Sequence, residues 1–216
     1  MRLMAKCIAG CFLLGALALV INGLPSAVAQ GKVKGKGKDK AKTKAELKVK
    51  VGDTAPVFES IDESGKPFKS NDVVGKKIVV LYFYPADFTG AGVAQARGFQ
   101  EEMENFNSRG VLVVGISGDS VSTHKLFKAY YKLPFSVLAD EKGEVAKLFG
   151  VPVKDGGKSP TINEKEEKGS ADRGVTIEGW TLVIDKAGKI AAADKVGKAS
   201  GDAKRVAEIV KKLDAQ

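Results

Sequence analysis

Apolar residues in the last three quarters of this 216-residue chain fall into short blocks whose periods alternate between two and about 3.6. Phe58 to Ile61 and Lys66 to Lys69 flank Asp62-Glu63-Ser64-Gly65, the signature of a small hairpin. Ile78 to Tyr84 (IVVLYFY) is a continuous apolar, β-branched and aromatic run, which predicts a central strand covered on both faces. From Val93 to Arg109, Ala96, Phe99, Met103 and Phe106 recur at helical spacing, with Glu101, Glu102 and Glu104 turned outward and Gly110 as the stop. Val111 to Ser117 predicts a second buried strand. Asp119 or Ser120 then caps a helix to about Tyr131. A third strand is expected over Phe135 to Ala139, and a short helix over Glu144 to Phe149. Trp180 to Ile184 and Ile190 to Val196 read as a hairpin across Asp185-Lys186-Ala187-Gly188. Ala203, Val206, Ile209, Val210 and Leu213 give a closing amphipathic helix. Residues 153–178 are polar and Gly-rich and read as a long surface loop. Strands alternating with helices predict an α/β domain with a mixed central sheet flanked by helices.

The first thirty residues follow a different pattern. Arg2 and Lys6 precede an apolar run from Cys7 to Ile21, and Ala27-Val28-Ala29 follows it. A basic start, a short apolar stretch and an Ala-x-Ala site read as a secretory signal peptide over 1–29, cleaved to leave Gln30 first. The run is short of the ~20 residues that a membrane span needs. The alternative reading is an uncleaved membrane anchor. Ile8-Ala9-Gly10-Cys11 resembles a lipoprotein box, but it precedes most of the apolar stretch instead of following it. Export implies a periplasmic or extracellular location.

Charge and cysteine content change meaning once mapped. The chain carries 35 Lys plus Arg against 26 Asp plus Glu, a formal +9. Residues 31–50 hold nine Lys against Asp39 and Glu46, a net of 9 − 2 = +7. Arg2 and Lys6 supply +2, which leaves 24 basic and 24 acidic residues in 51–216. Residues 30–50 are expected to be a disordered arm, because alternating Gly, Ala and Lys buries no apolar area and repels itself. Two readings of the arm stand: a solvated linker, or a tether to an anionic surface or polymer. No aromatic residue interleaves the lysines, so specific nucleic-acid binding is not expected. Both cysteines, Cys7 and Cys11, lie in the signal segment. The mature chain would then have no disulfide, no thiolate nucleophile and no soft metal ligand. With a single His, neither a metal site nor a cofactor is expected.

Residues 51–213 resemble the peroxiredoxins, and most nearly their bacterioferritin-comigratory branch. The matching stretches are VGDTAPVF, GKKIVVLYFYPADFT, AQARGF, VVGISGDSVSTHKLF, LPFSVLADEKGEVAKLFGV and TLVIDKAGKI. The resemblance implies a thioredoxin-like fold and, for the family, thiol-dependent reduction of peroxides. The family motif sets Pro, Thr and the peroxide-attacking Cys at positions that here hold Pro85, Thr89 and Gly92. The usual resolving Cys falls at Arg97, and the substrate-orienting arginine at Gly179; Arg173 is the nearest replacement in sequence.

A peroxidase needs a thiolate that takes up oxygen as a sulfenic acid, which a second thiol then reduces. Gly92 offers no such atom, and the Thr89 hydroxyl has no comparable oxidised state. No catalytic residue is therefore expected. What remains is a helix N-terminus whose free N–H groups favour anions, with Thr89, Gly90, Ala91 and Gly92 as candidate ligand contacts. The bland alternative is a relaxed, unused first turn. Tyr82, Tyr84 and Met103 read as packing, His124 as a structural or surface residue, and Trp180 as a core or interface anchor. Glu164, Lys165, Glu166, Glu167 and Lys168 read as a solvated charge run. Three functions stay open: a catalytically degenerate binding or interaction protein, an antioxidant enzyme of unrecognised chemistry, and an envelope-binding module acting through the arm.

Overall fold

The computed structural model describes residues 47–214. The signal segment 1–29 and most of the arm 30–50 lie outside the described residues. The end of the arm does not, and here the expected boundary moves. Val49 is buried, Leu47 packs beside it, and the Lys48 N–H donates to the Phe149 carbonyl at 3.0 Å. Leu47 is half-buried and Val49 buried, while Lys48 and Lys50 are exposed.

Seven strands form one mixed sheet in the order β2-β1-β5-β4-β3-β8-β9. β1 (Glu59–Asp62) and β2 (Pro67–Lys69) are the expected first hairpin, followed by a single 3-10 turn at Ser70–Asp72. β3 (Val79–Phe83) is central and fully buried. It runs parallel to β4 (Leu112–Ser117), which runs parallel to β5 (Ser136–Ala139). On its other side β3 pairs antiparallel with β8 (Trp180–Ile184), and β8 with β9 (Ile190–Lys195).

The alternation of β3 divides the core in two. Val80, Tyr82 and Tyr84 face α1 (Gly90–Glu101), α2 (Met103–Ser108), α3 (Val121–Tyr131) and α5 (Ala199–Asp214). Val79, Leu81 and Phe83 face α4 (Glu144–Phe149) and the incoming chain at Val49, Ala55 and Phe58. This is the thioredoxin-like architecture of a mixed sheet with helices on both faces.

Two expectations are corrected. The helix read as Val93 to Arg109 starts three residues earlier, because Thr89 caps it, and it breaks at Glu102, where ψ is 1°. Met103 and Phe106 remain on the core side of the second piece. The loop expected over 153–178 is instead a long hairpin of β6 (Val153–Ile162) and β7 (Lys168–Ile177). Most of its side chains are exposed or half-buried, so no apolar alternation marks it in the sequence. A free two-stranded ribbon is marginal, and this one is docked at its base. The Gly174 N–H donates to the Gly118 carbonyl at 3.1 Å, and Val175 lies so close over Gly118 that a Cβ there would overlap the Val175 carbonyl. Among the described residues no helix is long and apolar enough to cross a membrane.

Candidate functional site

The chain leaves β3 at Phe83, passes Tyr84 and Pro85, and enters α1 through a turn at Ala86–Thr89. Thr89 is extended (φ −79°, ψ 154°) and its Oγ1 accepts from the Gly92 N–H at 3.2 Å, which caps the helix. The same hydroxyl donates to the Ala86 carbonyl at 2.8 Å. Phe88 has φ +53°, a left-handed conformation that costs a non-glycine residue roughly 1–2 kcal/mol. Its ring is held against Phe127 at 5.2 Å and against Tyr131 at 5.9 Å. The turn is thus a strained segment fixed from several sides.

Gly92 is buried, and the turn closes around it. A Cβ at 92 would overlap the Ala86 carbonyl oxygen and lie 3.2 Å from both Thr89 Oγ1 and Tyr84 Cδ2. The backbone at this position fits glycine and no larger residue. Of the four candidate ligand contacts, the structure brings all into one turn but leaves only Gly90 and Ala91 exposed. Thr89 spends its oxygen within the turn, and Gly92 faces inward. Pro85 is half-buried on the approach.

Arg97 lies five residues further along α1, exposed, with its guanidinium 5.1 Å from the centre of the Tyr131 ring. Gly179 stands beside the end of β3; a Cβ there would lie 3.9 Å from the Phe83 carbonyl oxygen. Arg173, the expected nearest replacement for the family arginine, turns into its own hairpin. Its Nη2 donates to Thr176 Oγ1 at 2.8 Å inside the β6–β7 hairpin, and its buried Nε has no partner. Among the described residues no arginine hydrogen-bonds to the segment 85–92.

Beneath the turn lies a buried polar cluster that the sequence reading did not assemble. Asp87, Asp119 and His124 are all fully buried. Asp87 accepts from the Tyr84 hydroxyl at 2.6 Å, and its other carboxylate oxygen meets His124 Nδ1 at 2.7 Å. The Asp87 N–H donates to Asp119 Oδ2 at 2.8 Å. Asp119 also accepts from the Ser117 hydroxyl at 2.7 Å and from the Ser159 hydroxyl of β6 at 3.1 Å. Burial and the neighbouring Asp87 charge push the Asp119 carboxyl up. Burial pushes His124 down, but the Asp87 charge and hydrogen bond more than offset it, so the ring is more basic than usual. Burial also holds the Tyr82 and Tyr84 hydroxyls well above their ordinary value.

These positions sharpen several readings. Asp119 and Ser120 were alternative caps; Ser120 takes that role, its side chain accepting from the Thr123 N–H at 3.3 Å, while Asp119 turns inward. His124 is a buried structural residue, not a surface one. Tyr84 does more than pack, since its hydroxyl anchors Asp87. Tyr82 stacks on Phe99 at 4.6 Å with its hydroxyl unpartnered, and Met103 belongs to the same core. Trp180 is half-buried and donates from Nε1 to Glu178 at 3.1 Å. Glu164, Lys165, Glu166, Glu167 and Lys168 are exposed at the β6–β7 turn. The single sequence signal for the cluster was the oddity of Asp87 between an apolar strand and an aromatic residue. Among the described residues no group of three or more His, Cys, Asp or Glu is placed to hold a metal ion.

Residues 51–193 match the AhpC/TSA family. The chain is 37% identical over 165 residues to a putative peroxiredoxin bcp of Coxiella burnetii, across 76% of this chain and 99% of that protein. It is 48% identical over 104 residues to a chloroplastic peroxiredoxin Q of Sedum lineare, across 48% of this chain and 55% of that one. Among solved structures it superposes on the peroxidoxin BcpB of Mycobacterium tuberculosis with a TM-score of 0.63 and 25% identity, covering 76% of this chain and 98% of that one.

Proposed function

The chain belongs to the AhpC/TSA family, the peroxiredoxins, whose reaction is thiol-dependent reduction of peroxides, and we propose that it is an exported, non-catalytic member that acts by binding. The observation that carries this reading is the closure of the first turn of α1 around Gly92. Where the family motif sets its peroxide-attacking thiol, the Ala86 carbonyl fills the space that a Cβ needs. Loss of the thiol alone would leave a pocket ready to be refilled. Here the Ala86 carbonyl stands in that space, no arginine among the described residues hydrogen-bonds to the turn, and the resolving-Cys position holds an Arg stacked on Tyr131. Oxygen transfer from a peroxide needs an acceptor atom, and no residue of 47–214 is a cysteine.

The test is peroxide consumption with thioredoxin or dithiothreitol as reductant. The full chain with Cys7→Ser and Cys11→Ser is expected to match the protein-free blank, and adding Gly92→Cys to it is expected to gain no turnover. Consumption that scales with protein concentration, or a peroxidase from Gly92→Cys, overturns the reading.

The N-terminal sequence supports a location for that binding. An Ala-x-Ala site after an apolar run supports export, and nine lysines in 31–50 support a tether to an anionic surface or polymer. Deleting residues 31–46, which spares the packed Leu47 and Val49, is expected to abolish retention on phosphatidylserine-containing vesicles at low salt. Retention that persists without the arm refutes the tether.

A further inference from the structure

The buried cluster under the turn is not needed for packing alone. Two buried carboxylates, Asp87 and Asp119, sit close enough for the backbone of one to hydrogen-bond the side chain of the other. Among the described residues, His124 is the only basic side chain paired with either of them. Buried carboxylates without a counter-charge are costly. Meanwhile the segment they anchor is strained, since Phe88 is left-handed, and Asp87 hydrogen-bonds it to Tyr84 after β3, to His124 of α3 and to Asp119 after β4.

We propose that Asp87 and His124 form a protonation-controlled latch that holds the turn 85–92 closed, so that loss of the imidazolium proton releases it and frees the first turn of α1. The imidazolium neutralises Asp87 and offsets Asp119, and so keeps the Asp87 side chain in place. Removing its proton leaves two anions facing each other in a dry site. Nε2 is buried and has no partner in hydrogen-bond geometry in either state, and the Leu138 carbonyl of β5 favours the protonated ring. The relaxed escape is for Asp87 to swing toward water, taking Phe88 and the Thr89 cap with it.

His124 is raised, so its stabilisation is fully present below the unfolded value of ~6.5 and is lost as pH rises through the folded one. Asp119 is raised as well, so its ionisation with rising pH adds to the repulsion at Asp87. Tyr82 on β3 and Tyr84 just after it are held well above their ordinary value and stay neutral through this window. Ser117 and Ser159 complete the shell and do not titrate.

The chain has a single histidine, so its ring can be followed without ambiguity. In the full chain, the ring signals are titrated by NMR from pH 5 to 10, and amide hydrogen exchange is measured alongside, corrected for intrinsic rate. The ring is expected to titrate above the usual histidine value. Protection of amides 87–93 should be flat below ~6.5, fall by up to tenfold per pH unit between there and the ring's own midpoint, and level off above it, while β3 amides stay protected. Asp119→Asn is expected to lower both midpoints together. A ring that titrates at or below the usual value overturns the latch. So does protection of 87–93 that follows β3 at every pH, or an Asp119→Asn variant in which one midpoint moves without the other.

Discussion

Gly92 and Gly90 stand two residues apart in the same first helical turn, and the fold treats them oppositely. Adding a methyl group at 90 meets nothing within 4 Å, whereas at 92 it meets the Ala86 carbonyl, Thr89 Oγ1 and Tyr84. Both positions are helical, so Ala gains about 0.5–1 kcal/mol over Gly from reduced freedom in the unfolded chain. At 90 that gain stands alone, and Gly90→Ala is expected to be neutral or stabilising by up to that amount. At 92 the turn must move away from Ala86, at an overpacking cost of about 1–3 kcal/mol. The shift also stretches the Thr89 cap, whose loss costs about 1 kcal/mol. The net for Gly92→Ala is a destabilisation of about 1–3 kcal/mol. For a domain of this size that lowers Tm by roughly 2–4 °C per kcal/mol. Urea unfolding of both variants, followed by far-UV circular dichroism, measures the contrast. If Gly92→Ala is as stable as Gly90→Ala, the turn has room for a side chain, and the argument that the thiol site has closed fails.

The Thr89 hydroxyl bridges the Ala86 carbonyl and the Gly92 N–H, so Thr89→Ala should cost about 1–2 kcal/mol and Thr89→Ser much less, as read by urea midpoints. Gly118→Ala drives a Cβ into the Val175 carbonyl. It is expected to undock the β6–β7 hairpin at a cost of about 1–3 kcal/mol. Limited proteolysis should then cut within 153–177, and an equally resistant variant would contradict the docking. Burial pushes Glu178 up, but hydrogen bonds from Lys195 and Trp180 more than offset it and leave its carboxyl low. Its contribution is therefore present above the unfolded value of ~4.3 and is lost as pH falls. Lys195 is exposed and Glu178 half-buried, so Lys195→Met should remove no more than about 1 kcal/mol at pH 7 and flatten the pH dependence of stability in the acid range.

Much of the fold is legible in residues that are buried in regular patterns. Ile78 to Tyr84 announces β3 because a strand covered on both faces is apolar at every position. Ala203, Val206 and Val210 announce α5 because one helical face meets the sheet. The β6–β7 ribbon escaped notice for the converse reason: with few side chains buried, its stability rests on backbone ladder bonds and on its seat over Gly118, and neither writes a period into the sequence.

The candidate site divides along the same line. The proposal that Gly92, Arg97 and Gly179 stand where a thiol peroxidase keeps its chemistry rests on the resemblance in order and spacing along the chain, which local motifs preserve. That the turn has closed over Gly92 depends on where the Ala86 carbonyl lies, and backbone placement is set by the whole fold. The joining of Asp87, Asp119 and His124 depends on it still more. Residues from three separate segments share one dry space there because β3, β4 and α3 converge at one end of the sheet. Sequence order supplies the groups; only the low dielectric of that shared space turns them into a coupled set of charges.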